Sequence, residues 1–258
     1  MKSNYLILSI ILLFAIAVNG QENEQNATIR PGKGNVSFEL DFLPFSSDGP
    51  IRMNALRGRY FISDHMALNV NFNFDNKKLH NEVPSSYGTG SLFDSEDGKY
   101  TVFGLGAGLE YHLLNSRRVS PYVGFNVAYE LKNSHYESIT NYYQGYPTSE
   151  YTEVKTEIEN AWSEYSMIGY DQYGNPVYNY GMSQRGYNSL KVNAVLGADV
   201  YIIKHLYMGV ELGLGVNSIK YKEVVIKKDG NFDHKYPEAT DFDFGLNFNN
   251  AIRLGFWF

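Results

Sequence analysis

The sequence predicts an all-β fold, an eight-stranded antiparallel up-and-down transmembrane β-barrel with short periplasmic turns and long extracellular loops. Three observations lead there. From Asn35 onward the dominant hydropathic period is two. The stretch from Phe242 to Phe258 keeps that period for 17 residues, whereas a strand in a soluble sheet usually runs about five or six. The segments joining the alternating runs are by turns short and long, the form expected of a barrel with plain turns at one rim and loops at the other.

Composition narrows the function classes. Among 258 residues there is no cysteine, which excludes a disulfide scaffold, cysteine-ligated zinc, thiol catalysis and a lipidated N-terminal cysteine. A formal charge of -6 argues against nucleic acid as a partner, because binding phosphates needs a basic face. An aromatic content of 16% beside a mean hydropathy of -0.34 means much aromatic surface without a long apolar stretch.

The elements follow in order. Lys2, the apolar run Tyr5 to Val18 and the small residues before Gln21 have the order of a secretory signal peptide spanning 1–20, cleaved near Gly20/Gln21. The run is shorter than the roughly 20 residues a spanning helix needs. Residues 21–34 are polar and punctuated by Pro and Gly, so they read as a flexible periplasmic leader. Residues 35–258 read as the barrel. Strands are expected at about 35–43 and 51–62, then where Met66, Leu68, Val70, Phe72 and Phe74 alternate with Ala67, Asn69, Asn71 and Asn73. Phe103 to Tyr111 alternates with glycines and Glu110, and Val123 to Leu131 with Gly124, Asn126, Ala128 and Glu130. Leu190 to Ile202, Leu206 to Val216 and the C-terminal run complete eight. Short connections fall at 63–65, 113–120 and 203–205, and long ones at 44–50, 75–99, 132–187 and 218–241. A soluble β-sandwich or lipocalin-like barrel is the competing fold. Its outward face would carry many charges, but the polar face here is rich in Gly and Asn and poor in Lys, as suits a crowded interior.

The chain resembles the small bacterial outer-membrane β-barrel family of OmpA-like transmembrane domains and OmpX/OmpW-type proteins. The resemblance rests on the signal peptide, the eight-strand rhythm, Gly104-Leu105-Gly106-Ala107-Gly108-Leu109-Glu110-Tyr111, Pro121-Tyr122-Val123-Gly124 and the terminal Phe258. It covers 35–258, with loop 132–187 departing in length. It implies an outer-membrane location in a Gram-negative bacterium, lipid partners, and insertion by the barrel assembly machinery with Phe256 and Phe258 as the C-terminal signal.

If the apolar faces meet lipid, the strand map puts Glu39, Arg57, Arg59, Glu110, Asp199, Glu211 and Arg253 inside one half of a narrow lumen. An eight-stranded barrel is just wide enough for side chains to fill, and unpaired charges there are costly, so an ion-pair network is expected. The six histidines lack metal-ligand spacing, and Asp94, Glu96 and Asp97 lack the spaced oxygens of a calcium loop; neither a metal nor a cofactor is implied. Loop 132–187 holds eleven of the 22 tyrosines, with seven acids against three Lys/Arg. Tyrosine joins an apolar ring to a polar tip, so Tyr142, Tyr143, Tyr146, Tyr170, Tyr173, Tyr178 and Tyr180 are the candidate interaction surface for an extracellular or envelope ligand. Hairpins are expected around Gly174-Asn175 and Asp229-Gly230-Asn231, continuing the barrel strands as a small exposed sheet. The resulting expectation is a non-enzymatic protein with a structural or cell-surface interaction role. A small channel for apolar or amphipathic solutes would need an open lumen or a lateral gap. A membrane-embedded lipid-modifying enzyme would need a Ser/His/acid constellation on the lipid face or at the outer rim, which the sequence does not assemble.

Overall fold

The computed structural model describes residues 29–42, 51–84, 92–113, 118–143, 151–170, 176–248 and 252–258. These form fourteen strands and no helix: β1 (Val36–Phe42), β2 (Ile51–Phe61), β3 (Met66–Pro84), β4 (Phe93–His112), β5 (Val119–Tyr143), β6 (Tyr151–Glu159), β7 (Trp162–Tyr170), β8 (Pro176–Ser183), β9 (Tyr187–Ile203), β10 (Leu206–Tyr221), β11 (Val224–Lys228), β12 (Asn231–Tyr236), β13 (Ala239–Phe248) and β14 (Ile252–Trp257). The signal peptide and most of the leader lie outside the described residues, as does loop 44–50.

Eight strands close a ring. Antiparallel pairing runs β1–β2–β3–β4–β5–β9–β10–β14 and returns to β1 through Ser37↔Trp257 to Phe42↔Ile252. Tight connections at 62–65 and 204–205 mark what is here termed the lower rim. Residues 29–34, expected to belong to a flexible leader, are tied to this rim. Arg30 Nη2 donates to the Asp64 carbonyl at 2.7 Å, Gly34 N donates to Phe61 O at 2.7 Å, and Ile29 packs on Tyr201, Tyr207 and Trp257.

The ring strands turn apolar side chains outward and charged ones inward. Outward lie Leu68, Val70, Phe72, Phe74, Phe103, Leu105, Leu109, Val123, Phe125, Tyr129, Leu190, Leu196, Val210 and Leu214, all exposed. Inward lie Glu39, Arg57, Arg59, Asn69, Glu110, Asp199 and Arg253, all buried. The outward apolar belt has a registered upper edge. Phe74, Phe103 and Leu131 sit side by side on β3, β4 and β5, and the next outward trio is Asn76, Thr101 and Asn133.

Six strands stand beyond the expected ring of eight, chiefly because most of the long connections are themselves sheet. β3, β4 and β5 continue past the belt, and β6, β11 and β12 add to them, so the upper order is β3-β4-β5-β6-β11-β12. Segment 132–187, expected to be a loop, is largely the arms of β5, β6, β7 and β8. Its ladders carry polar cross-strand pairs on the outward face, such as Lys155 with Glu137 at 3.2 Å and Lys227 with Glu159 at 2.6 Å. Such pairs stabilise a sheet without leaving an alternating apolar signature. A compact cluster of Tyr136, Ile158, Ala161, Trp162, Val224 and Ile226 anchors this region. The hairpins expected at Gly174-Asn175 and Asp229-Gly230 occur as β7–β8 and β11–β12. Asp229 and Gly230 both have positive φ, 50° and 77°, as a tight two-residue hairpin turn requires.

The C-terminal run, expected as one strand, is two. β10 meets β14 at Gly209↔Arg253 and β13 at Leu212↔Phe248. Three steps on β10 thus face five on the C-terminal chain, and the excess of two is even. Phe244 and Leu254 therefore stay on the same face despite the break, which is why the dyad reads as unbroken in the sequence.

Large rings inside the ring of strands require glycine opposite. A Cβ on Gly197 would collide with the Tyr122 ring, and one on Gly255 with the Tyr207 ring. Gly197→Val is expected to destabilise the fold by about 1–3 kcal/mol, read from the denaturant midpoint. Gly245→Val, where a Cβ meets nothing within 4 Å, should leave that midpoint nearly unchanged.

Candidate functional site

The seven lumen residues converge from six strands: β1 (Glu39), β2 (Arg57, Arg59), β4 (Glu110), β9 (Asp199), β10 (Glu211) and β14 (Arg253). Alternation aims each inward, and register sets their height. Arg59 is central. Its Nη2 lies 2.7 Å from Glu39 Oε1, its Nη1 2.6 Å from Asp199 Oδ2, and its Nε 3.2 Å from Glu110 Oε2. Arg57 donates to Glu110 and, at 2.8 Å, to Glu211 Oε2. Arg253 Nη1 reaches Glu39 at 3.1 Å and Glu211 at 3.3 Å. All seven expected members thus belong to one connected network.

Residues that sequence reasoning passed over complete it. Tyr207 donates to Glu39 Oε1 at 2.6 Å, Tyr122 to Glu211 Oε2 at 2.8 Å and Asn69 to Glu110 Oε1 at 2.7 Å. The Arg59 guanidinium lies 5.3 Å and 5.6 Å from the ring centres of Tyr122 and Tyr207, a cation–π sandwich in a desolvated place. No local sequence signal marked them: Tyr122 meets Gly197 and Tyr207 meets Gly255 only through the cross-strand register.

Below the network His112 Nδ1 lies 2.7 Å from Ser120 Oγ, and its Nε2 3.7 Å from Glu110 Oε2. This is a Ser/His/acid set, which the sequence did not reveal because Ser120 and His112 meet only across strands. All three are buried, neither Ser120 nor His112 lines the lumen cavity, and Glu110 is engaged by both lower arginines and Asn69. Ser120 and His112 thus lie beneath the network and away from that cavity.

Toward the upper rim the lumen holds a cavity of about 210 Å³. Its lining combines Glu39, Asp41, Arg57, Glu211 and Arg253 with Asn71, Asn73, Gly104, Gly106, Glu130 and Lys191. Glu130 accepts from Tyr187 at 2.6 Å and Asn73 at 3.1 Å, and lies 3.4 Å from Lys191 Nζ. Beside this cavity the wall parts. The β2–β3 ladder ends at Ala55↔Asn73, so among the described residues 74–84 of β3 pair with β4 alone.

The tyrosines expected to form an interaction surface are distributed over hairpins. Tyr142 and Tyr143 end β5, Tyr170 ends β7, and Tyr178 and Tyr180 lie on β8. Tyr146 and Tyr173 lie outside the described residues. The terminal Phe258 stacks on Phe38 with ring centres 5.9 Å apart, and Phe256 lies 5.7 Å from the His205 ring. Among the described residues no three His, Asp or Glu side chains converge as a metal site would need. On the exposed upper sheet, the hydrogen bond that His80 Nδ1 donates to the Asp97 carboxylate at 2.8 Å raises the pKa of His80 above its ordinary value.

No protein-family model matches this chain, and neither does any curated protein or solved structure.

Two measurements bear on this geometry. Arg59→Met strands Glu39, Glu110 and Asp199 without their shared cation, and should cost about 3–5 kcal/mol of stability in a denaturant titration. His80 should titrate above an ordinary histidine by NMR and return toward that value in Asp97→Asn, because the protonated form loses the negative charge of its acceptor.

Proposed function

We propose that this chain is a non-enzymatic outer-membrane β-barrel protein, similar to the small OmpA-like and OmpX/OmpW-type group. On this reading its lumen is plugged by ion pairs, and its role at the cell surface is structural or interactive. The observation that carries it is the outward belt with a registered edge. On β10 the outward apolar positions run from Leu206 to Val216, after which come Ser218 and Lys220. Ten residues at about 3.3 Å each, tilted by about 40°, project to about 25 Å, the height of an outer-membrane apolar band. Exposing such a belt to water would favour aggregation, whereas lipid removes it from water. Over the lower part of the belt, where β14 joins β10 to β1, ring closure answers the companion demand, since hydrocarbon offers no partner to an open strand edge.

The remaining assignments follow from that orientation. The N-terminal apolar segment is a signal peptide for export. The lower rim with its tight turns faces the periplasm, and β14 with Phe256 and Phe258 is read by the barrel assembly machinery. The sheet built from β3–β6, β11 and β12 stands outside the cell and carries the tyrosine-rich hairpins toward an extracellular or envelope ligand. Arg57, Arg59 and Arg253 are each committed to carboxylates, which supports a closed pore. A second reading, exchange of amphipathic molecules between lumen and bilayer, is favoured by the parting of β2 from β3.

The test is heat-modifiable migration of the protein extracted from membranes, with Val210→Arg as probe. Val210 is 56% exposed at the middle of the belt. The substitution should cost about 2–4 kcal/mol of folding into bilayers, and Val216→Arg at the belt's edge about 0–1 kcal/mol. In planar bilayers the wild type should pass little or no steady current. Recovery of the wild type as a soluble protein, or equal penalties at the two sites, would overturn the membrane reading.

A further inference from the structure

We infer that the outward face of β3 and β4, just above the apolar belt, holds the phosphate of a membrane amphiphile between Lys78 and Lys99, with the acyl chain below on Phe74 and Phe103. The inference rests on the barrel reading above and specifies one lipid contact of that surface. Three cross-strand pairs follow one another upward on this face. Phe74↔Phe103 closes the belt, Asn76↔Thr101 stands above it, and Lys78↔Lys99 comes next. The order is apolar, neutral polar, cationic, which is the order of acyl chain, carbonyl linkage and phosphate in a phospholipid. The heights agree as well. Successive outward pairs are two residues apart, which is about 5 Å of height at about 3.3 Å per residue and a tilt of about 40°. The lysines therefore stand about 5–10 Å above the hydrocarbon edge, beside a head-group zone about 5–8 Å deep in each leaflet. Their flexible stems let the ammonium groups reach back into it. β10 repeats the same order with Val216, Ser218 and Lys220.

Charge selects the head. Lys78 and Lys99 face each other directly across the ladder, where like charges are destabilising. Both are exposed, and among the described residues no carboxylate forms an ion pair with either. The nearby acids lie in the rows above or, for Glu159, two strands away, and each is engaged elsewhere. Asp97 and Glu82 lie 2.8 Å and 3.8 Å from His80, and Glu137 lies 3.2 Å from both His135 and Lys155. Glu157 lies 2.8 Å from Lys155, and Glu159 2.6 Å from Lys227. Lys220 on β10, by contrast, is closed by Glu238 at 2.7 Å. A phosphate placed between the Lys78 and Lys99 ammonium groups relieves their repulsion, whereas a neutral head leaves it in place. Below them Asn76 Nδ2 donates to Thr101 Oγ1 at 2.8 Å, which leaves the threonine hydroxyl proton to meet an ester or amide carbonyl. Phe74 and Phe103 are exposed at 46% and 41%, and Phe103 meets Phe72 edge to face at 5.4 Å. An acyl chain thus has an apolar track directly beneath the polar pair. Free phosphate would use the lysines alone, whereas the amphiphile uses all three layers.

The experiment uses the full chain in micelles of a neutral glycoside detergent, with the amide resonances of Lys78, Lys99 and Thr101 as reporters and that of Lys220 as reference. Three probes are titrated: dodecyl phosphate, inorganic phosphate and dodecanol. Dodecyl phosphate should give saturable shifts at the three reporters, with a midpoint about ten-fold or more below that of inorganic phosphate, and dodecanol no saturable shift. Lys78→Gln combined with Lys99→Gln should raise the dodecyl phosphate midpoint by about ten-fold or more, the loss of one or two charge-assisted hydrogen bonds. That variant should remain heat-modifiable, and Lys220→Gln should leave the midpoint unchanged. If the double variant does not fold, Lys78→Gln alone takes its place, with a rise of about three-fold or more expected. Equal binding of inorganic phosphate would make this a solute site. Shifts at Lys220 that match those at the reporters would reduce the effect to general attraction by a charged micelle. An unmoved midpoint in the lysine variants, or no saturable shift in the wild type, would remove the site. Each of these overturns the inference, and none touches the barrel reading, which fails only if the chain does not fold into the membrane.

Discussion

Three guanidiniums shared among four carboxylates occupy the centre of the ring, and the rest of the molecule is arranged to make that arrangement stable. Arg59 alone bridges Glu39, Glu110 and Asp199, which come from three different strands. A buried charge without a partner costs several kcal/mol, while a paired one is close to neutral against an apolar substitute. The network therefore contributes specificity of register more than net stability. Slipping any contributing strand by one residue would turn its charge outward into the belt and leave its partners uncompensated.

Size follows from the same demand. Guanidiniums and carboxylates can interlock across the lumen only if opposing walls are close, which an eight-stranded ring provides. The tyrosines that roof and floor Arg59 are then too large for the space unless their cross-strand neighbours are glycines, as Gly197 and Gly255 are. The glycine-rich inward face is thus the complement of a few large polar side chains. The same interior compression leaves the cavity between the central network and the Glu130–Lys191 pair as the place where charges of both signs line open space.

The upper sheet obeys different physics. Its outward ladders are held by exposed pairs such as Lys155–Glu137, each worth little by itself, and its packing comes from the Trp162 cluster. The branching at β5 shows the change of regime. Its lower part pairs with β9 to close the ring, and from His135 onward it pairs with β6 instead.

Alternation along the chain determined the inward and outward faces, the ring strands and the identity of all seven central charges, because the period of a strand is a local property of its backbone. Connection lengths likewise indicated which rim carries the tight turns. What local pattern could not carry was decided by the tertiary structure. The long segments became strands because polar cross-strand pairs leave no period-two apolar trace. The C-terminal run divided into β13 and β14 invisibly, since a two-residue offset preserves parity. Tyr122, Tyr207 and Asn69 joined the network, Ser120 met His112, and β2 left β3 beyond Ala55, through registers set between strands distant in sequence. Register is a relation between two segments, and one segment's sequence specifies only its own half of it.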